Sequence, residues 1–335
     1  MNGALLTPYH ADLIVTLNVE SETEYEDLLG LWADLEAGLG IILGNPNSVQ
    51  EFEQRVGQYD RWMQALLQRD TDTGLYLLFQ LAGNSPVGYS ASHALVCAVL
   101  AHLIGIELQI DPAERNSLVH ATLTMNIGMT ALQDELASQL EKPNPEQQLG
   151  IRNHSALGRK MLADLGIADP LWLDVVSQHH DEIADDRPLA TLAPAQRLAR
   201  IVRTVDRYGA MISPRKSRAG RSASDSVRAI IQDSGENSDE IGNAMVRAVG
   251  LCPPGTFVRL DNEEVAVVMR RSDKPNHPHV AIVLDESGQL SGRPRLHRTA
   301  HGSPQIRAAL AAAMVRVQLN HHLILRLGAY AAQKS

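Results

Sequence analysis

Helical periodicity up to about residue 250, followed by strand-like alternation, is the feature that most limits the possible folds of this chain. Leu, Ala, Ile and Val recur at intervals of three and four residues, interrupted by Pro, Gly and Asn. After Pro253-Pro254-Gly255, the segments TFVRL, EEVAVVMRR and HVAIVL carry β-branched residues in partial alternation. The pattern predicts a mainly α-helical fold with a small C-terminal antiparallel β-sheet, and a final helix from residue 305 to about 327.

Three regions are predicted along the chain. Residues 1–84 form an N-terminal helical region, in which Trp32, Leu35 and Leu39 fall at helical spacing and are expected in a core. Residues 85–250 form a central helical domain, and residues 251–335 form the sheet and the last helix. The apolar segment 310–327 is interpreted as part of that helix. It packs on its own domain or, as the alternative, offers a surface for dimerisation or partner docking.

Charge and composition exclude several classes of protein. The net charge of -9 argues against a general nucleic-acid binder, although PRKSRAGR at residues 214–221 is a short basic run. The longest uninterrupted apolar run, residues 94–101, is far shorter than the roughly 20 residues that a membrane helix needs. The N-terminal residues do not resemble a signal peptide, and the widely separated Cys97 and Cys252 suit a reducing compartment. We therefore expect a cytoplasmic protein that binds neither nucleic acid nor membranes.

Five polar residues on separate predicted helices are candidate metal ligands. Imidazoles and carboxylates that converge from several helices form metal sites in bundle cores. A single histidine at a helix end more often caps a carbonyl or faces water, so the prediction depends on the order and spacing of the whole set. The set consists of His93, His154, His179, His180 and Asp206.

The segments that carry these residues resemble the HD-GYP family in order and spacing. They are YSASHALVCAVLAHLIG, HATLTMNIGM, NHSALGRKML, VVSQHHDEI, RLARIVRTVDRYGAMISPRKSR and GTFVRLDNEEVAVVMRR, and the resemblance covers about residues 89–284. This family is an α-helical subgroup of the HD-domain metal phosphohydrolases, and its active members hydrolyse the bacterial second messenger cyclic di-GMP. The resemblance implies an HD-domain-like helical bundle, extended at its N-terminus by the first helical region.

The resemblance also implies roles for individual residues. His93 matches the first histidine of the family, and His154 matches the histidine of its His-Pro-x-x-Gly stretch. His179 and His180 match the paired histidines, and Asp206 matches the late aspartate that closes the metal site. The family places basic residues that meet substrate phosphate at two further positions, which are Arg215 and Arg218 here. A solvated basic loop is the alternative for those two arginines.

Three positions depart from the family pattern. Met125 and Asn126 stand where the family has the His-Asp pair, and Met129 replaces its lysine. In the family pattern, the aspartate can bridge two metal ions while the imidazole binds one of them. Asn126 offers only a neutral oxygen, and the Met125 thioether is a soft ligand that suits iron or manganese poorly. The Gly-Tyr-Pro motif is absent as well.

The sequence therefore predicts a bacterial signalling protein with a degenerate HD-GYP domain. It would be catalytically inactive or impaired and act by protein interaction or by binding a cyclic dinucleotide. The alternative is an active metal-dependent phosphohydrolase, a cyclic di-GMP phosphodiesterase with a rearranged mononuclear site. The cofactor would be one iron or manganese ion, or else no ion, with the five residues left as polar groups of a former cleft. The expected partner is cyclic di-GMP or another signalling protein, and the oligomeric state is not determined.

Overall fold

The computed structural model describes residues 19–81, 87–181, 187–233, 240–274 and 276–333. Within these ranges the chain is mainly helical, and a five-stranded antiparallel sheet near the C-terminus is followed by one more helix. The predicted fold class is therefore confirmed. The boundaries that we predict between the three regions stay predictions.

The described part of the N-terminal region, residues 19–81, is mainly helical, as predicted. Its α-helices are α1 (Val19–Gly44), α2 (Phe52–Arg69) and α3 (Thr71–Leu81). Trp32, Leu35 and Leu39 are each 1% exposed and belong to a hydrophobic cluster that extends into the central helices. This region therefore packs against the helices that carry the candidate site.

Four of the eight central helices that the structure describes begin at a proline, which has no N–H to leave unpaired in the first turn of a helix. Side chains of Asp111, Asn144 and Asp169 cap three of these starts by accepting backbone N–H groups. The central helices are α4 (Tyr89–Glu107), α5 (Pro112–Thr124), α6 (Thr130–Ser138), α7 (Pro145–Asp164), α8 (Pro170–Gln178), α9 (Pro194–Ile212), α10 (Ala223–Asp233) and α11 (Glu240–Val249).

Helix α4 lies at the centre of this bundle and contacts α1, α5, α9 and α11. Among the described residues it is the one helix with the length and apolarity of a membrane span, but 83% of its most apolar window is buried inside the protein. Its sequence is apolar on all sides because other helices surround it.

The sheet has the strand order β4-β3-β2-β1-β5. Its strands are β1 (Phe257–Leu260), β2 (Val265–Arg270), β3 (His279–Leu284), β4 (Leu290–Arg298) and β5 (Ile306–Leu310). The first three are the predicted strands, whereas β4 and β5 are not in the prediction. Apolar residues on both faces are buried, since one face packs on the helices and the other forms a second small cluster.

A final helix follows the sheet, as predicted, but its predicted start at residue 305 is wrong. Residues Ile306–Leu310 form the edge strand β5, whose backbone pairs with β1, with Leu310 opposite Phe257. Pairing at a sheet edge here outweighs the helical preference of an alanine-rich segment. The last helix, α12 (His321–Gln333), begins much later. A docking surface on a continuous helix over residues 310–327 therefore has no structural basis.

Candidate metal centre

Two glycines allow the helices of the site to approach each other closely. Gly209 on α9 faces α4, and a Cβ there would lie 2.8 Å from Cys97 Sγ and 3.2 Å from the His93 ring. Gly128 lies in the turn between α5 and α6 and faces α7, where a Cβ would meet the His154 carbonyl oxygen and lie 2.9 Å from the Gly158 nitrogen. Because neither position has room for a side chain, α4 approaches α9 and the turn approaches α7.

His93, Cys97 and Asp206 form one group of possible ligands, whose ligand atoms all lie within 4.8 Å of one another. His93 is buried, and its Nε2 donates to Asp206 Oδ1 over 2.8 Å. Burial alone would raise the pKa of Asp206, but the hydrogen bond from His93 and the attraction between the two groups outweigh it, so the pKa lies below its usual value. Asp206 is therefore ionised at neutral pH.

Cys97 is the member of this group that the sequence analysis did not propose. Its Sγ lies 3.6 Å from His93 Nε2, and the thiol donates to the Val205 carbonyl over 3.5 Å. Burial raises its pKa well above the usual value, so the sulfur keeps its proton at neutral pH. The spacing of four residues from His93 is the signal that places both side chains on one face of α4.

His154, His179 and His180 form the second group, again with all ligand atoms within 4.8 Å of one another. His154 Nδ1 donates to the Ile151 carbonyl over 2.6 Å, and His179 Nδ1 donates to the Val176 carbonyl over 2.7 Å. Each acceptor lies three residues earlier in the chain. Ile151 lies in α7 with His154, and Val176 lies in α8, which ends just before His179. Both Nδ1–H groups are therefore occupied, and each ring presents Nε2 to the site.

The two Nε2 atoms of His154 and His179 lie 3.2 Å apart. Burial is the largest cause that lowers the pKa of both rings, and the pKa of His179 is about 3. Both rings are therefore neutral at neutral pH, and two lone pairs face each other at hydrogen-bond distance. A cation between the two nitrogens would turn this repulsion into attraction. Neutral imidazoles with the other nitrogen bound to a carbonyl are typical metal ligands.

The two groups lie in one region of the molecule. Helix α8 contacts both α7 and α9, and the Asp206 charge raises the pKa of both His154 and His179, opposing burial. The third histidine, His180, is exposed, with its ring centroid 4.2 Å from that of His179. The structure thus brings the five residues that the sequence analysis selected close together, with His180 at the open side.

The departing positions lie beside this region. Met125 is 1% exposed and packs in the hydrophobic core. Asn126 is half-buried, and its side chain makes no hydrogen bond with the described residues, while its carbonyl accepts from Met129 N over 2.8 Å. Gly128 in the same turn contacts α7 at His154. The turn is therefore next to the histidines, but its first two residues bring neither an imidazole nor a carboxylate.

The two candidate phosphate-binding arginines lie in a tight turn after α9, where the backbones of Arg215 and Arg218 bond each other in both directions over 2.9 Å. Arg218 donates to the Ala210 carbonyl on α9. Arg215 Nη2 donates to the Tyr89 hydroxyl over 2.9 Å, and the Tyr89 ring stacks on His93 with centroids 5.4 Å apart. Tyr89 was not predicted, although it lies one helical turn before His93.

Comparison with known proteins identifies a relative of this chain, while no family model matches it. The chain is 30% identical over 187 residues to the cyclic di-GMP phosphodiesterase PA4108 of Pseudomonas aeruginosa. The match covers 55% of this chain and 45% of that protein, so the chain spans less than half the length of its relative.

Among solved structures, Bd1817, an HDG"Y"P protein from Bdellovibrio bacteriovorus, matches with a TM-score of 0.47 and 14% sequence identity. The match covers 69% of this chain and 72% of that one, and a likeness this distant supports no functional conclusion. The sequence relationship supports the predicted resemblance, because the chain is similar over about half of its length to a protein named as a cyclic di-GMP phosphodiesterase.

Proposed function

We propose that this chain is a bacterial signalling protein that binds cyclic di-GMP at the site around His154, His179 and His180. It hydrolyses this nucleotide slowly or not at all. The observation that supports this most directly is the turn beside His154, where Met125 is buried in the core and Asn126 is uncharged. A two-metal centre needs an imidazole and a bridging carboxylate at such positions.

The remaining side chains fit one transition-metal ion of the iron or manganese type. His154 and His179 would hold it through Nε2, with His180, His93 and Asp206 as the further ligands of the proposed set. When bound, such an ion lowers the pKa of a coordinated water and acts as a Lewis acid. The chain's own contribution is to fix both Nδ1 atoms on backbone carbonyls, so that the ligand nitrogens are held without reorganisation.

The size of the expected loss favours impaired hydrolysis. Changing a single residue that only orients a ligand typically costs about 10- to 100-fold in metal affinity or activity. Here two direct ligands are replaced, and Met129 also removes a cation that would stabilise charge on the phosphoryl oxygens. Asp206 supplies a carboxylate, but it already accepts from His93. We therefore expect binding to outlast catalysis.

An active phosphodiesterase with one metal ion is the second candidate. The convergence of His154 and His179 supports this candidate. Their two Nε2 lone pairs face each other, and this arrangement is unfavourable unless a cation lies between them. The ionised carboxylate of Asp206, near these two histidines, would bind a water molecule or act as a further metal ligand. Binding of the nucleotide does not distinguish the two candidates, whereas release of product does.

Calorimetric titration of the manganese- or iron-loaded protein with cyclic di-GMP, followed by chromatography of the mixture, tests the proposal. We expect saturable binding and no linear dinucleotide or GMP above the level of the His179→Ala variant. Product formed at a rate that His179→Ala abolishes would establish the second candidate. No binding and no product would overturn the proposal and leave interaction with another signalling protein as the role of the chain.

A further inference from the structure

We propose that Tyr89 is a positioning residue for the nucleotide: it holds the Arg215 guanidinium beside His93 so that the pair receives a phosphodiester oxygen. This inference rests on the proposed function and deepens it, because it assigns the part of the site that holds the ligand's phosphate. The evidence is the geometry of Tyr89, the unused donors of Arg215, and the absence of a carboxylate partner among the described residues.

Tyr89 joins the metal ligands to the basic turn. It is the first residue of α4, and its ring lies nearly parallel to that of His93, at an angle of 13°. Arg215 reaches it from the turn after α9, with its guanidinium carbon 4.7 Å from the ring centroid and Nη2 2.9 Å from the hydroxyl. An aromatic ring and a hydroxyl acceptor together restrict a long side chain to one position.

Arg215 has donors left over after this contact. Its Nε is buried, and the N–H has no acceptor in the described part of the chain. The Tyr89 hydroxyl accepts from Arg215, but within the same described ranges its own hydrogen has no acceptor either. A buried donor without an acceptor is unfavourable, and a phosphate oxygen is the acceptor that a guanidinium matches best. The Tyr89 hydroxyl and the Arg215 guanidinium are already in contact, so an oxyanion bound at this pair would meet both side chains.

The charge of Arg215 is also unmatched, unlike that of the arginines that support the fold. Arg197 pairs with Glu114 at 2.5 Å and Arg270 with Asp70 at 2.7 Å. Arg215 has no carboxylate within 4.0 Å in the described ranges. The pair therefore keeps a full positive charge for an anion.

A double-mutant cycle tests this role. The dissociation constant of cyclic di-GMP is measured for the metal-loaded wild type, Tyr89→Phe, Arg215→Gln and the double variant, with metal content determined for each. We expect Tyr89→Phe and Arg215→Gln each to weaken binding about tenfold, and the double variant to weaken it by clearly less than the product of the two. Metal content should equal that of the wild type. Tyr59→Phe and Arg293→Gln, which make the same changes away from the site, should leave binding unchanged.

Unchanged binding in Tyr89→Phe, or losses that multiply in the double variant, would overturn the inference while the wild-type titration still supports the proposed function. Loss of metal in Tyr89→Phe would overturn it as well, because it would mean that the hydroxyl acts on His93 and not on the phosphate. A wild type that does not bind cyclic di-GMP would overturn the proposed function together with the inference.

Discussion

A buried imidazole is an effective ligand when its other nitrogen is held, and at His154 and His179 a backbone carbonyl three residues earlier does this. The residue types and their order are visible in the sequence, so all five candidate ligands could be selected from it. The close approach of the two Nε2 atoms could not be predicted from the sequence, because it depends on how α7 and α8 pack. Cys97 and Tyr89 share the helical face of His93, and their spacing alone would have justified naming them.

Restoring the two altered positions should restore the second ion. In the Met125→His, Asn126→Asp double variant we expect the metal content to rise to about two ions per chain and hydrolysis of cyclic di-GMP to appear or increase, since a bridging carboxylate becomes available. Burying an imidazole at residue 125 should cost about 2 kcal/mol of stability until metal is bound. Elemental analysis and a product assay measure the outcome.

The matched control is Asn153→Asp, which adds the same charge on the exposed face of α7. It should leave metal content unchanged. If the restored variant holds no more metal than the wild type, the assignment of residues 125 and 126 as the lost ligand positions is wrong.

Gly128→Ala should destabilise the fold, because the new Cβ meets backbone atoms of α7 at His154 and Gly158 that cannot rotate away. Overpacking of this kind typically costs about 1–3 kcal/mol. Gly30→Ala in α1 has open space around it and should instead add roughly 0.5–1 kcal/mol. Urea denaturation of both variants measures the difference, and equal stabilities would refute the close approach at Gly128.

At the scale of elements, periodicity and proline positions predict most of the helices and the first three strands. The exception is the C-terminal segment, where β5 forms because β1 offers a free edge, a partner that local sequence does not reveal. Strand β4 is largely polar and all its residues are exposed or half-buried, so it lacks the apolar pattern by which β2 and β3 are recognised. Backbone pairing with β3 stabilises β4, although β4 buries little apolar surface of its own.

The end of β2 is tied to the start of α3 by buried ion pairs, and this tie should depend on pH. Arg270 Nη1 lies 2.7 Å from Asp70 Oδ2, with side chains 16% and 8% exposed. Burial alone would raise the pKa of Asp70, but Arg270 outweighs it and the pKa lies below its usual value. A lowered carboxyl pKa adds stability above the unfolded-state pKa, and this stability is lost as the pH falls through the folded-state value.

Arg270→Gln should therefore lower the free energy of unfolding by about 2 kcal/mol at pH 7, and the deficit should shrink below about pH 4. Urea titrations from pH 7 to pH 3 measure it. Arg307→Gln breaks an exposed pair with Glu263 and should cost less than about 1 kcal/mol at any pH. A deficit in Arg270→Gln that stays constant over this range would contradict a stabilising role of the Asp70 charge.

For the whole molecule, a well-packed helical bundle surrounds the candidate site, beside which Met125 and Asn126 stand where the resemblance implies an imidazole and a carboxylate. One hydrophobic cluster includes residues of the N-terminal helices, the central helices and one sheet face. Such packing depends on the apolar pattern of the sequence. A methionine at residue 125, where the family pattern has a histidine, keeps or improves that pattern. The ligand loss that we propose is therefore compatible with a stable fold.

The number of metal ions per chain tests the central claim most directly. Protein produced in medium supplemented with iron and manganese should contain about one ion per chain by elemental analysis, and the His154→Ala, His179→Ala double variant should contain almost none. Two ions per wild-type chain would contradict the account, because a thioether and a neutral amide at Met125 and Asn126 would then have to replace an imidazole and a bridging carboxylate.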